Sequence, residues 1–455
     1  MENNPPILRR CSLIPVEGGA LKEEYDITRG VIAIDYYESL ESPSISMTIT
    51  FIDVDQVIGR KGITGGEYVD LIVKVDDEDA EDFKIMHNKQ KMILNSVRDM
   101  VTESNKQVAT LEFVSVETLV NETARLNKKY TGNISDIVVE LLVGDTRGIQ
   151  TGKTLYGPVD EKLGDENVKK DRATNSYSFV GNLKRPFDTI QWLCPKAQSA
   201  TDDFGFLFYE TLDGYHFRSI KSLLEQDAVT YQQTDAQGIS NKILQNNLNQ
   251  TNDIGMNMRM GMYANRTIYV DIENQTLETI DFKADDIKTK RKAALPANIQ
   301  NYPTRLMVRV DDVGVAQVGA AKTDVQPKSE LAKYQNKSYI RNNLLFSQSL
   351  SVSIPLNTTL RAGFALNIKL PLKQENGDAN VDSYGNDRSN DPSGRYLIGE
   401  LRHLIGGGKA ETQLKLIRDV FTVDKTGITD TGELIRADNR QYQNTWPAWN
   451  TKTSR

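Results

Sequence analysis

The segment Gly152-Lys153-Thr154 has the residue types of a nucleotide-binding loop, in which backbone N–H groups and a lysine hold phosphates. The motif requires another glycine before Gly152, with four residues between the two, and this chain has Arg147 at that position. The nearest earlier glycine, Gly148, is separated from Gly152 by only three residues. The segment also runs into Pro158 rather than directly into the helix whose N-terminus would cradle phosphate. We therefore interpret it as a flexible surface loop without a nucleotide site.

Asp378, Asn380 and Asp382 offer oxygen ligands at alternate positions, as the loop of a calcium-binding EF-hand does. Ser383 replaces the glycine that this loop needs for its sharp turn, and Ser389 replaces its bidentate glutamate. These two substitutions exclude an EF-hand. A weak cation site of another kind and a solvated loop between strands both stay open, and no metal ion is assigned.

The three histidines, His87, His216 and His403, have none of the spacings of metal-ligand or catalytic motifs. No nucleophile-elbow motif accompanies them. Cys11 and Cys194 are far apart and outside any CxxC pair, so we expect neither a zinc site nor a disulfide. These residues predict structural histidines, no cofactor and no enzyme active site.

The net charge of −7 excludes a general nucleic-acid binder, because such proteins displace counterions from phosphates with clustered lysine and arginine. A small basic cluster at 288–292 is typical of a solvated face. The chain also has an acidic run, a pattern that is typical of a solvated loop that repels phosphate. It consists of Asp76, Asp77, Glu78, Asp79, Glu81 and Asp82.

Trp446 and Trp449 lie in an otherwise polar C-terminal stretch. Exposed tryptophans are costly unless they pack on the body of the protein or anchor a partner, and both interpretations stay open. The first 21 residues contain no apolar signal segment, and no stretch approaches eighteen consecutive apolar residues. We expect synthesis in the cytoplasm and no membrane partner.

The elements that position these residues follow from periodicity. Apolar residues alternate with Ser and Thr over 44–51 and alternate again over 69–75, which predicts an antiparallel β domain. Helical spacing over 134–142, with Asn133 as its cap, predicts a short amphipathic helix. A second helix is predicted from Pro186 onward, and Phe204 to Phe217 predicts a hairpin that turns at Asp213-Gly214.

The last third returns to alternation over 350–356, 366–370, 396–405 and 413–423, which predicts a β meander. The stretch 144–175 has no period and is predicted to be a long loop, and beyond Pro296 lies a weakly patterned connection. A chain of 455 residues has room for two to four domains. The predicted order along the chain is a β domain, a middle region of mixed helices and strands, and a second β domain.

Several segments together resemble the central hub proteins of contractile-tailed phages. The most specific is the hairpin sequence 208–219, FYETLDGYHFRS. The others are 34–54 followed by GITGGE at 62–67, GNISDIV at 132–138, RPFD at 185–188 before Trp192-Leu193, and SGRYLIG at 393–399 before LRH at 401–403. The resemblance covers about residues 25–423 and rests on the order of elements more than on any single motif.

The resemblance implies a mainly β fold with two tail-tube-like antiparallel β-barrel domains, the second interrupted by an inserted α+β domain. The implied division is an N-terminal arm (1–24), a first tube-like domain (25–122), a middle domain (123–202 and 240–338), a second tube-like domain (203–239 and 339–423) and a tail (424–455). The hairpin at 204–220 would then pair with the strands after Asn343.

The resemblance also implies a function in the virion's tail baseplate. Three copies would form a ring of pseudo-sixfold symmetry that joins a trimeric central spike to a hexameric tail tube or its initiator. Baseplate wedge proteins are further partners, and DNA would pass through without specific binding. The acidic run 76–82 would line the lumen or rim, and the two tryptophans of the tail would dock a partner.

Two alternatives stay open beside this function. The first is the hub of a related contractile injection system or phage-like particle; a fused needle would need a long β-helical repeat, which the chain lacks after Val423. The second is a tail-associated cell-wall hydrolase, which requires two carboxylates in a cleft, one with a raised pKa. No aspartate or glutamate stands out in the sequence for that role.

Overall fold

The computed structural model describes most residues of the chain, and the strands, helices and contacts counted here lie among the described residues. They are 6–54, 56–75, 82–86, 90–103, 106–157, 172–199, 204–234, 241–250, 253–271, 275–283, 302–310, 328–370, 393–406 and 409–418.

The first part of the chain forms eight strands and two short helices, as its alternating pattern predicts. The strands are β1 (Ile7–Ile14), β2 (Tyr25–Asp26), β3 (Val31–Ser39), β4 (Ser46–Asp53), β5 (Tyr68–Lys74), β6 (Phe83–Ile85), β7 (Met92–Glu103) and β8 (Lys106–Ser115). The helices are α1 (Val57–Lys61) and α2 (Val116–Thr123).

The last part of the chain supplies a second set of strands, as its alternating pattern predicts, but the predicted meander is wrong, because Gln348–Pro355 pairs with Lys409–Arg418 and not with the next strand, Ala365–Lys369. The strands are β14 (Ala228–Gln232), β15 (Gln245–Gln250), β19 (Gln348–Pro355), β20 (Ala365–Lys369), β21 (Gly394–Gly406) and β22 (Lys409–Arg418).

The two sets of strands join in one fourteen-stranded main sheet. Its path runs β15-β19-β22-β21-β3-β4-β8-β7-β5-β1-β2, and the seam between the sets is the antiparallel pair β21 and β3. One apolar core continues under both sets, with Ile49 and Leu71 from the first and Ile398 and Leu414 from the second. The predicted mainly β fold with large antiparallel pairings is therefore confirmed.

The middle of the chain builds a separate aromatic core from short elements. They are β9 (Lys129–Asn133), α3 (Ile134–Val139) with a π-helical turn at Glu140–Gly144, β10 (Thr154–Tyr156), β11 (Ser176–Val180), α4 (Pro186–Leu193), β12 (Phe206–Thr211), β13 (Gly214–Ser219) and α5 (Ile220–Leu224). Asn133 caps α3 by accepting a hydrogen bond from the Ser135 N–H, and Pro186 opens α4, as predicted.

The predicted hairpin is confirmed, but its pairing and its turn differ from expectation. β13 pairs in parallel with β10, not with the strands after Asn343, so the predicted loop at 144–175 contains a strand. Thr211 pairs with Gly214, which leaves Leu212 and Asp213 as the loop and places Gly214 (φ +146°) at the start of β13.

The physical reason for this pairing is that both faces of the hairpin are buried. Phe208 and Phe217 face the aromatic core of the middle elements, whereas Tyr209 on the opposite face packs with Leu397 and Ile417 of the main sheet. A strand covered on both faces gains most apolar burial between two layers rather than at the edge of one.

A smaller three-stranded sheet with one long helix completes the described fold. Its elements are α6 (Ile254–Arg259), β16 (Ala264–Asp271), β17 (Thr276–Lys283), β18 (Arg305–Val310) and α7 (Lys328–Leu345), with β16 in the centre of the sheet. The weakly patterned connection predicted beyond Pro296 therefore contains a strand and an eighteen-residue helix. Within the described residues, no helix combines the length and the apolar character needed to cross a membrane.

Candidate functional site: a buried ionic junction

The candidate site residues from the sequence fall almost entirely outside the described residues. Of the acidic run 76–82, the structure describes Asp82, which precedes β6 and lies 3.3 Å from the Lys84 ammonium. Trp446 and Trp449 lie outside the described part of the chain. So do His87, the basic cluster 288–292 and the loop with Asp378, Asn380 and Asp382.

The described residues instead bring together a buried ionic group that we name the junction triad: Glu117, Lys153 and Glu210. The Lys153 Nζ lies 2.8 Å from a Glu117 carboxylate oxygen and 2.5 Å from a Glu210 carboxylate oxygen. It also donates to the Ser115 hydroxyl at 2.7 Å, while the Thr151 hydroxyl donates to Glu117 at 2.8 Å. Three distant segments of the chain thus meet at one ammonium group.

Each member of the triad comes from a different element. Ser115 ends β8 of the main sheet, and Glu117 lies in the first turn of α2. Lys153 precedes β10, and Glu210 lies in β12 on the face that packs in the aromatic core. The triad therefore ties the main sheet to the hairpin and to the strand that pairs with it.

The Glu210 carboxylate is completely buried and each of its oxygens has a donor. One oxygen accepts a hydrogen bond from Lys153 and lies 3.0 Å from the Ser115 hydroxyl, and the other accepts from the Ile45 N–H at 3.0 Å. The ammonium of Lys153 also lies 5.8 Å from the centre of the Tyr215 ring. These contacts replace the hydration that the charges lose on burial.

The pKa values of the two carboxyl groups in the triad are shifted in opposite directions. Burial raises the pKa of Glu210 to about 7, against the pull of Lys153. Burial acts on Glu117 as well, but Lys153 and the hydroxyls that donate to it hold the pKa of Glu117 below its ordinary value. Burial opposes the charge on Lys153, yet the two carboxylates raise its pKa. Two carboxylates sharing one lysine carry a net charge of −1 when both ionise, so Glu210 holds its proton most readily.

A second buried carboxylate lies along the same boundary. Glu38, in β3, accepts hydrogen bonds at 2.8 Å from the Tyr36 hydroxyl, from the Leu212 N–H in the hairpin loop and from the Ala362 N–H. Burial raises the pKa of Glu38, and the nearby guanidinium of Arg361 opposes this rise. Glu38 thus joins the first strand set, the hairpin and the segment before β20.

Arg361 extends this second contact to the hairpin loop. Its guanidinium lies 3.2 Å from the Asp213 carboxylate and donates to the carbonyls of Thr358 and Leu360 at 2.7 and 2.8 Å. The hairpin loop is therefore held by an anion from one strand set and a cation from the other.

The two described histidines are completely buried. The imidazole of His216 stacks between the rings of Tyr156 (4.6 Å) and Tyr209 (4.7 Å) and hydrogen-bonds the Thr211 hydroxyl. Burial is the main cause that lowers the pKa of His216 well below its ordinary value, and burial lowers the pKa of His403 to about 3. Both rings are therefore neutral at physiological pH.

The junction triad has one property of a catalytic site, because a carboxyl group with a pKa near 7 suits general acid catalysis. Its geometry contradicts that use. Glu210 has no exposed surface, and the side chains of Lys153 and Glu117 are only 9% and 11% exposed. A glycoside would have to displace the protein's own donors from both carboxylates to reach them. The arrangement can hold layers together and can bind one proton.

The predictions from the sequence did not identify this site. Lys153 was assigned to a flexible surface loop, and that prediction is wrong, because the side chain is buried between two carboxylates. One signal was available: Glu210 interrupts the apolar run of a hairpin that is aromatic on both strands, and a charge there requires a buried partner. The identity of that partner, 57 residues earlier, has no sequence signal.

The comparisons with known proteins point to phage tails. No family model matches the chain. Over 280 residues the sequence is 22% identical to the probable baseplate hub protein gp334 of Vibrio phage KVP40, which covers 57% of this chain and 64% of that protein. The matched part thus spans less than two thirds of that relative's length.

The solved structures that match include two tail proteins, and one of them has a TM-score above 0.5. The tail protein from Neisseria meningitidis MC58 superposes with a TM-score of 0.53 at 10% identity, over 92% of this chain and 98% of that one. The 43 kDa tail protein of prophage MuSo2 from Shewanella oneidensis gives a TM-score of 0.48 at 9% identity, over 91% of this chain and 100% of that one. The curated relative confirms the predicted resemblance to baseplate hub proteins. The fold shared with the Neisseria structure agrees with the predicted mainly β fold, and the inserted α+β domain stays a prediction.

Proposed function

We propose that this chain is a structural central hub of a phage tail baseplate. Its place is the virion's tail baseplate, and its assembly takes place in the host cytoplasm. The sequence similarity to a protein named as a probable baseplate hub supports this function, and so does the fold shared with a tail protein.

The observation that carries the proposal is the seam of the main sheet. Residues 33–39 of β3 pair with residues 400–406 of β21, so two sets of mainly antiparallel strands lie edge to edge within one chain. A chain with two similar units side by side supplies six units when three copies close a ring. Such a ring matches a threefold spike on one side and a sixfold tube on the other.

The buried ionic contacts suit this mechanical role. The junction triad and Glu38 fix the hairpin and the middle elements against the main sheet through several hydrogen bonds each. Bonds of this kind resist sliding between layers because their geometry is directional, whereas apolar contacts tolerate it. We propose that they keep the two units at a fixed angle while the tail contracts.

The domain division stays part of the proposal, with tube-like domains at 25–122 and at 203–239 plus 339–423, an arm at 1–24 and a tail at 424–455. The middle domain comprises 123–202 and 240–338. Two pairings cross these proposed boundaries: β13 pairs with β10 of the middle domain, and β15 of the middle domain pairs with β19. Trp446 and Trp449 in the tail are proposed to dock a partner, such as the spike or a wedge protein. Binding assays with a chain truncated after residue 423 test this, and unchanged affinity for every baseplate component would contradict it.

The proposed ring gives passage to DNA without binding it. A net charge of −7 disfavours adhesion of the phosphate backbone, and the acidic run 76–82 is proposed to line the lumen or the rim. A cryo-electron microscopy map of the assembled baseplate that places the run on the outer surface would remove that role.

We propose a non-enzymatic role. The carboxylate with the raised pKa, Glu210, is buried and bonded, and the curated relative is named for a place in the baseplate rather than for an activity. Incubation of the purified chain with peptidoglycan is expected to release no soluble fragments. Release that disappears in Glu210→Gln would favour a cell-wall hydrolase instead.

The decisive experiment is the solution mass by light scattering, measured over a range of concentrations, alone and with the separate spike protein. A mass of three chains, retained in a complex with three spike chains, is expected from the symmetry requirement. A monomer at every concentration, also in the presence of the spike, would refute the hub function.

A further inference from the structure

The turn between β11 and α4 holds two consecutive residues in the left-handed region of backbone conformation. Asn182 has a φ of +48° and Leu183 a φ of +57°, and the Lys184 N–H donates to the Gly181 carbonyl oxygen at 3.0 Å. Positive φ at both central residues is the geometry of a type I′ turn, which favours asparagine and glycine. Asn182 suits its position, whereas a bulky residue such as Leu183 is a backbone outlier there. We name Gly181–Lys184 the leucine turn.

The leucine turn is fastened to the segment that precedes β9. The Leu183 N–H donates to the Leu126 carbonyl oxygen at 2.7 Å, and the Leu126 N–H donates to the Lys184 carbonyl oxygen at 3.0 Å. The Gly181 N–H donates to the Lys128 carbonyl oxygen at 3.0 Å. A Cβ on Gly181 would lie 2.7 Å from the Leu126 backbone, so the two segments are in close contact. The surroundings therefore hold the turn in its strained conformation.

This rigid turn presents an apolar side chain to water. Leu183 is 64% exposed, and Val180, directly before the turn, is 57% exposed. A single exposed apolar residue is ordinary, but Leu183 also strains the backbone, so it lowers stability for two reasons. A glycine at this position would remove both the strain and the exposed apolar surface. Backbone strain of this kind persists mainly at sites that bind other molecules.

The border of the leucine turn is positive. The segments 122–129 and 180–188 contain five cations and two anions, which gives a formal charge of +3 (5 − 2). The cations are Arg125, Lys128, Lys129, Lys184 and Arg185, and the anions are Glu122 and Asp188. Two further carboxylates, Glu140 and Asp145, contact Lys128 and lower the sum to +1 (3 − 2). The whole chain carries −7, so this border has the opposite sign to the protein as a whole.

Two exposed cations flank Leu183 and form no ion pair with any carboxylate of the described residues. Lys184 follows Leu183 directly, and its ammonium lies 4.9 Å from the centre of the Trp192 ring. Arg125 precedes the residue whose carbonyl accepts from the Leu183 N–H. Its guanidinium donates to two backbone carbonyls, at 2.9 and 2.7 Å. Both side chains therefore keep a charge that an anion on another molecule can pair with.

We propose that the leucine turn is a docking site for a partner protein, which receives Leu183 in an apolar pocket with carboxylates on its rim. The inference rests on the proposed hub function and deepens it, because the partner is sought among the baseplate components. An apolar centre with a charged rim is the arrangement of a protein–protein contact, and carboxylates are the groups that complement Lys184 and Arg125. Nucleic acid would use the cations alone, since its phosphates gain nothing from an exposed leucine.

The variant Leu183→Gly tests the apolar centre. It is expected to raise the thermal unfolding midpoint by about 1–2 °C, because glycine adopts a positive φ without strain. In titrations with the purified spike, tube and wedge proteins, the same variant is expected to weaken the binding of one of them by about tenfold or more. Leu277→Gly is the matched control, because Leu277 is 71% exposed in β17, and it should bind like the wild type.

Two charge reversals test the rim. Lys184→Glu and Arg125→Glu are each expected to weaken binding of the same component by about tenfold, because each places a like charge against a carboxylate. Lys91→Glu is the control, since Lys91 is an exposed lysine before β7. The affinity of the wild type should also fall as the salt concentration rises from about 0.05 to 0.5 M. Circular dichroism checks that each variant is folded.

The outcomes separate this inference from the hub function. Wild-type components whose binding Leu183→Gly leaves unchanged overturn the docking site and keep the hub, and a lower unfolding midpoint of that variant overturns the argument from strain. Unchanged or tighter binding by both charge reversals contradicts an acidic partner. A DNA duplex that binds the wild type and is lost in Lys184→Glu, or a trimer that Leu183→Gly dissociates, gives the turn to another occupant and overturns the proposal. A wild-type chain that binds no baseplate component refutes both.

Discussion

Replacing Lys153 with methionine tests whether the junction triad holds the layers together. The substitution keeps most of the aliphatic stem and removes the ammonium that lies 2.8 and 2.5 Å from the two carboxylates. Glu117 and Glu210 would then face each other across a site with almost no access to water. We expect a folded protein of clearly lower stability.

The magnitude follows from what is left behind. Removing one member of a buried ion pair strands an uncompensated charge and costs about 3–5 kcal/mol of unfolding free energy. The loss depends on pH, because a stranded carboxylate takes up a proton instead of staying ionised. We therefore expect about 3–5 kcal/mol at pH 8 and roughly half of that at pH 5.

The direction of the pH effect follows from the two pKa shifts. Lys153 holds the pKa of Glu117 below its ordinary value, a contribution to stability that is present above that value and lost as pH falls. This contribution is already complete at pH 5, so the variant lacks it equally at both pH values, and the growth of the deficit between pH 5 and pH 8 comes from Glu210. Lys153 also opposes the rise of the Glu210 pKa, so in the variant Glu210 is protonated over a wider range.

The measurement is urea unfolding followed by circular dichroism at pH 5 and pH 8. Lys128→Met is the matched control, because Lys128 also contacts two carboxylates, Glu140 at 2.5 Å and Asp145 at 3.3 Å, but its side chain is 45% exposed. Exposed pairs contribute about 0–1 kcal/mol. A loss below 1 kcal/mol for Lys153→Met, or equal losses in both variants, would refute the reasoning.

Three further outcomes are expected. The wild type should lose about 3 kcal/mol as pH rises from about 4.5 to 7, because the pKa of Glu210 is raised to about 7 in the fold, and Glu210→Gln should abolish this change in urea titrations. Gly214→Ala should lower the unfolding free energy by about 2–4 kcal/mol, since its Cβ would meet a backbone carbonyl oxygen of β10 at 2.2 Å. Gly66→Ala is the control, because a Cβ at Gly66 would meet no atom within 4 Å, and it should lower the unfolding free energy by about 1 kcal/mol in the same thermal unfolding measurement. Burial raises the pKa of the Cys11 and Cys194 thiols to about 12, so neither should react with Ellman's reagent at pH 8 until the protein unfolds, and fast reaction of the native protein would contradict their burial.

The ionic junction supplies the rigidity that the proposed hub needs. It joins layers within one chain through directional hydrogen bonds between groups that water cannot reach once they are buried.

Local signals in the sequence were sufficient for many elements. Alternation over 44–51 predicted β4, and Asn133 predicted the start of α3, because both signals act through neighbours along the chain. The order of these elements was also sufficient for the resemblance to hub proteins. Helix α7 was missed because it lacks an apolar stripe and packs partly through buried amides such as Asn336.

Only the tertiary structure decided where the hairpin and the charges lie. Phe206 to Ser219 formed the predicted hairpin, but its partner β10 and the pairing of Lys153 with Glu210 depend on segments that are 57 residues apart in sequence. No local pattern encodes such a contact, since periodicity reports which face of an element is apolar and not which element covers it. The sequence determined the elements and the family resemblance; the burial of both hairpin faces determined the junction.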